Sequence, residues 1–194
     1  MRFSLISAIA TLDSVIMAQP VAREMTCPQV SEGLKALEKK AQELQTFVQS
    51  ADVDSLITTH PITTGQSPYK ASHVDISLEG AKMNAQLSGA KPFKAEECIA
   101  ITDSFKGFSA ANQLYFNLLS GKADVVLNKD KLLGPTVKIS LKQVQGVYRT
   151  LSSNLIFRCL SKVKDLTAEA KTLDDTLDLA ISKYGSVGKI SLLN

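Results

Sequence analysis

Few side chains in this sequence are equipped for a reaction. It has two histidines, His60 and His73, and three cysteines, Cys27, Cys98 and Cys159. Histidine can carry a proton near neutral pH or hold a metal, but a metal site needs further ligands, and Asp75 is the only carboxylate close by in sequence. Both histidines are therefore expected on a solvated surface. Asp174, Asp175 and Asp178 could form a general acid–base pair on one helix face. Lys171, four residues before Asp175, argues instead for a screened and paired polar face. Gly121-Lys122 lacks the upstream glycine of a phosphate loop, and Gly65-Gln66-Ser67-Pro68 lacks the strand and helix that flank a nucleophile elbow. The sequence thus predicts no catalytic residue, no metal site and no cofactor.

The elements that carry these residues read as helices. Trp is absent and aromatic residues make up only 6% of the chain, a mix that favours helix over a β sandwich. Periodicity marks five long segments. The first starts at Cys27-Pro28, with Val30, Leu34, Leu37, Ala41, Leu44 and Val48 on one face. The second is expected to open at Ser67-Pro68 and bury Val74, Leu78, Ala81 and Ala85 before Gly89. The third follows Lys91-Pro92, carries Glu96 and Glu97 in its first turn, and buries Cys98, Ile101, Phe105, Phe108, Ala111 and Tyr115 or Leu118 before Gly121. A short turn is expected at 123–127. The fourth opens near Gly134-Pro135 with Val137, Leu141, Val144, Tyr148, Leu151 and Leu155. The fifth presents Leu166, Ala170, Leu173, Leu177, Ala180 and Tyr184 up to Gly185. Short connections predict hairpins between the second and third segments and between the fourth and fifth. The fold class is all-α: a single-domain bundle of about five long antiparallel helices over residues 27–185, with a C-terminal tail at 186–194.

In such an up-down bundle the three cysteines share one pole. One pair is expected to be oxidised in an oxidising compartment, and Cys98 with Cys159 is favoured because Cys27 lies in a terminus prone to fray. Three buried reduced thiols remain the alternative. Residues 1–18 have the features of a secretory signal peptide: Arg2, an apolar stretch at 3–10, and small Ala18 two residues after Ile16. A net charge of +3, with lysines spread singly, gives no footprint for nucleic acid. No stretch is long and apolar enough for a transmembrane anchor, so the protein is expected to be secreted, in the extracellular space or the cell wall.

The second half resembles the fungal hydrophobic surface-binding protein A family, also called cell wall galactomannoproteins. The resemblance rests on KPFKAE at 91–96, NLLSGKADVVL at 117–127, LSSNLI at 151–156 and LDDTLDLAISKY at 173–184. It implies a non-catalytic protein that adsorbs to hydrophobic solid surfaces and holds a fatty acid or other apolar ligand between helices. Secreted lipolytic enzymes are possible partners on this view. Phe105, Phe108, Tyr115, Leu141, Val144 and Tyr148 are the candidate lipid contacts. Leu114, Phe116, Leu119, Ile139 and Val147 add apolar width beyond the main stripes, though a fully surrounded core helix would share that pattern. The alternatives are a secreted helical-bundle inhibitor of a cell-wall hydrolase, which would be expected to have four paired cysteines, and a ligand-free structural wall protein.

Overall fold

A computed structural model describes residues 25–58 and 72–185. The leader-like stretch 1–18, His60, the expected helix start at Ser67-Pro68 and the tail 186–194 lie outside the described residues. Helix α1 (Cys27–Ser50) begins where the Gln29 side chain accepts a hydrogen bond from the Thr26 backbone N–H at 2.9 Å, with Pro28 in the first turn. Its buried face is the sequence stripe with Phe47 added. A single short helix, α2 (Val53–Thr58), follows.

Helix α3 (His73–Ser88) is capped by the Ser72 hydroxyl, which accepts from the Asp75 backbone N–H at 3.1 Å. Its core face is His73, Ile76, Gly80, Met83 and Leu87. The expected stripe of Val74, Leu78, Ala81 and Ala85 is exposed instead. Both sets have helical spacing, and close approach decides between them. A Cβ on Gly80 would overlap the Val147 side chain, and one on Gly33 of α1 would come within 2.7 Å of Met83 Sδ. The backbone of α3 can approach α5 only over Gly80.

Helix α4 (Ala95–Lys129) is a single element of 35 residues, about 52 Å long at 1.5 Å per residue. The expected stop at Gly121 and separate turn at 123–127 do not occur. A mid-helix glycine costs only about 1 kcal/mol, and burying Ala123, Val126 and Leu127 beyond it offsets that cost. Helix α5 (Leu133–Arg158) leads through a 3-10 turn (Leu160–Lys162) into α6 (Val163–Gly185).

The five long helices form a ring. Helix α4 packs between α1 and α6, α6 between α4 and α5, and α5 between α6 and α3; α3 closes the ring on α1 through a thinner joint. The expected α5–α6 hairpin is present. The expected pairing of α3 with α4 is not: the short segment between them does not make them neighbours, and α3 lies on α5. Helices α4 and α5 hardly approach each other in backbone, since α6 stands between them.

Gly80→Val tests the α3–α5 seat. The overlap with Val147 outweighs the better helix propensity, and a loss of about 1–3 kcal/mol is expected. Thermal melting should drop by several degrees; an unchanged or raised melting temperature would place α3 elsewhere.

Candidate functional site

The gap between α4 and α5 is filled from both sides by large side chains. All six candidate contacts are buried in the same core, none more than 2% exposed: Phe105, Phe108 and Tyr115 from α4, Leu141, Val144 and Tyr148 from α5. The Phe108 and Tyr148 rings meet edge to face at 4.8 Å, and Phe105 lies 5.6 Å from Phe108. Of the off-stripe residues, Phe116 and Leu119 are buried, Val147 is partly buried against α3, and Leu114 and Ile139 are more than half exposed. The first three thicken the core; the last two face out.

Two polar groups interrupt this apolar seam. Tyr148 donates to Asn112 Oδ1 at 2.7 Å, while the Asn112 amide donates to the Phe108 carbonyl at 2.8 Å. The second is a cluster. His73, from the first turn of α3, places Nδ1 3.0 Å from Ser140 Oγ and Nε2 2.5 Å from the Tyr115 hydroxyl. It packs edge-on to Tyr115 and tilted against Phe116. His73 is only 1% exposed, which overturns the surface assignment made from its sequence neighbours. A lone polar residue at the edge of a Thr-rich stretch carries no periodic signal that could have placed it inside. Ser140 went unsingled for the same reason.

Among the described residues, hollows open on the outside of the ring. One, of about 400 Å³ between α5 and α6, is bordered by Tyr148, Ile156, Ala170, Leu173 and Leu177, with Arg149 and Lys171 also at its edge. Both cations are engaged, Arg149 with Asp174 at 2.6 Å and Lys171 with Asp175 at 2.6 Å, as expected for a solvated face. Tyr148 belongs both to this hollow and to the seam, so its ring is part of the wall between them. Another, of about 440 Å³, lies at the α1–α3 joint beside Gly33, Ala36 and Gln86.

One pole is strongly tied. Cys98 and Cys159 form a disulfide with Cα atoms 5.3 Å apart, leaving Cys27 as a buried free cysteine. The Phe93 N–H donates to the Arg158 carbonyl at 2.9 Å, and the buried Arg158 guanidinium donates to Ser88 O at 2.7 Å. That cation sits where the C-termini of α3 and α5 favour positive charge. Beside it, Phe157 and Leu160 are 69% and 68% exposed and Val163 39%. Among the described residues no group of three or more His, Cys, Asp or Glu side chains converges on a metal-sized site, and no helix is long and apolar enough to cross a membrane.

No protein-family model and no curated protein matches the chain. Solved structures that share its fold include the following two. Ligand binding domain 1 of the Penicillium marneffei MP1 protein, complexed with arachidonic acids, aligns over 82% of this chain and 99% of that one, with a TM-score of 0.65 at 16% identity. Afmp4p in complex with palmitic acid aligns over 84% and 99%, with a TM-score of 0.63 at 12% identity. At these identities the likeness establishes the all-α bundle fold.

Burial pushes the phenols of Tyr115, Tyr148 and Tyr184 above their ordinary value of 10.0, so all three stay protonated hydrogen-bonding groups across neutral pH. In the unfolded chain they ionise near pH 10 while the folded chain keeps the protons. Their contribution to stability is therefore complete below pH 10 and is lost as pH rises beyond it. Each should steepen alkaline unfolding by up to about 1.4 kcal/mol per pH unit. Denaturant melts between pH 9 and 11.5 should show a shallower slope for Tyr148→Phe; parallel slopes would mean that residue 148 is not held neutral.

Proposed function

We propose that this protein is a non-catalytic carrier that holds a fatty acid between its helices, along the seam between α4 and α5. The observation that carries this reading is the spacing of those two helices. Their backbones make few contacts and the space is closed by buried side chains, the six candidate contacts among them. Turning those rings aside opens a slot without unfolding a helix. The Tyr148 ring is the natural gate, since the outer α5–α6 hollow lies on its other side. The hollow's volume falls within the range of small-molecule sites. The shared fold with one domain complexed with arachidonic acids and another protein complexed with palmitic acid supports the same ligand class.

The energetics suffice. Burial contributes ~0.8 kcal/mol per CH₂, so a sixteen-carbon chain gains on the order of 10 kcal/mol, and micromolar affinity survives the ordering costs. Palmitate at one hundred times its Kd should stabilise the fold by about 2.7 kcal/mol. Calorimetry and native mass spectrometry with palmitate read this directly. Neither added mass nor a shift in melting at millimolar ligand would end the carrier reading.

The proposal extends to membership of the hydrophobic surface-binding protein A group, secretion and residence in the cell wall. It is supported by the leader-like residues 1–18 and by a disulfide suited to an oxidising compartment. A lipolytic enzyme at the same surface would supply the free acid. Adsorption to apolar solids is assigned to Phe157, Leu160 and Val163, which stand out at the disulfide-braced pole beside Lys162 and Lys164. The double variant Phe157→Ser, Leu160→Ser should adsorb to polystyrene several-fold less while binding palmitate as before. Equal adsorption would move the contact surface elsewhere.

A further inference from the structure

The seam carries its three-residue polar cluster at one end, beyond which lie mostly apolar side chains and the closed Tyr148–Asn112 pair. His73, Tyr115 and Ser140 lie together near the α3 N-terminus, at 1%, 0% and 8% exposure. From Ser140 toward the disulfide, α5 presents Leu141, Val144, the ring of Tyr148, Leu151 and Leu155, all buried. Residues 140 to 155 span about 22 Å at 1.5 Å per residue, comparable to an extended sixteen-carbon chain. Resting on the carrier reading above, we infer that the His73–Tyr115–Ser140 cluster receives the carboxylate of the bound fatty acid, with the alkyl tail lying along the seam toward the Cys98–Cys159 pole.

The hydrogen count of the cluster supports this role. A neutral histidine has one N–H, and Tyr115 and Ser140 each bring one O–H. The two bonds within the cluster use two of these three hydrogens. With either tautomer, one hydroxyl retains a hydrogen that neither bond uses. A carboxylate accepts several hydrogen bonds at once, and such charge-assisted bonds are the strong ones. The tyrosine is held protonated by burial and so remains a donor. The other polar pair in the seam lacks this reserve: the Tyr148 O–H is spent on Asn112, and the Asn112 amide is already bonded to Phe108 O. Two polar sites therefore divide the work, one closed on itself and one with a donor to spare.

The experiment compares palmitate with methyl palmitate, whose chain is the same but whose headgroup carries no charge. The wild-type protein should prefer the acid by about tenfold or more. Tyr115→Phe and Ser140→Ala should each weaken palmitate markedly more than the ester, and carboxyl-¹³C palmitate should show a moved carboxyl resonance in both variants. Leu155→Ala, at the tail end, should weaken acid and ester alike. Ser140→Ala removes a single oxygen at the edge of the cluster, so its result stands even where Tyr115→Phe destabilises the fold. Equal affinity of wild type for acid and ester, or an acid preference that survives both variants, overturns the headgroup assignment and leaves the carrier reading intact. Failure of wild type to bind either ligand overturns both.

Discussion

Helix α6 wedges between α4 and α5, and that placement constrains the whole interior. Two helices in direct contact pack ridge into groove at 8–10 Å between axes. Here α4 and α5 are held farther apart and must fill the distance with side chains. Small residues would leave voids, each costing stability roughly in proportion to its volume. The sequence meets this demand with aromatic rings on the facing surfaces, Phe105, Phe108 and Tyr115 against Tyr148, and with His73 inserted from the side. A ring of five helices is thereby closed at its centre by aromatic side chains.

The periphery has the opposite character. Helix α1 lays an unbroken stripe on α4, the Cys98–Cys159 bridge joins the start of α4 to the end of α5, and the Arg158 side chain caps α3. Gly80 seats α3 on α5 at backbone distance. Of these contacts, the disulfide is covalent and the Gly80 seat rests on backbone proximity, so neither depends on the seam side chains. The thin joint between α1 and α3 is the exception, and it coincides with an outer hollow.

Much of this was legible in sequence where one face is far more apolar than the other. The stripes of α1, α5 and α6, the start of α4 and all six seam residues follow from spacing alone, because a single phase satisfies each pattern. The phase of α3 did not follow. Val74, Leu78, Ala81 and Ala85 compete with Ile76, Met83 and Leu87 at equal spacing, and the choice falls to Gly80, whose value lies in the partner it touches. Gly121 read as a stop because local propensity says nothing of the burial waiting at Val126. His73 was missed for a related reason. A buried histidine is defined by its hydrogen-bond partners, and Tyr115 and Ser140 lie 42 and 67 residues away.

The same bonds that hold the seam shut also bear on which apolar molecules can open it. Spreading the rings apart strains two side-chain hydrogen bonds from Tyr148 and from His73 in a place without water to replace them, and an unmet buried polar group costs about 1–3 kcal/mol. A plain hydrocarbon brings nothing to repair the loss. It must open the slot on chain burial alone, at ~0.8 kcal/mol per CH₂. A ligand with an acceptor at the His73 end would offset the loss there and leave only the Tyr148–Asn112 bond to be strained. On the carrier reading proposed above, polar groups inside an apolar core would act as a filter, favouring amphiphiles over plain hydrocarbon.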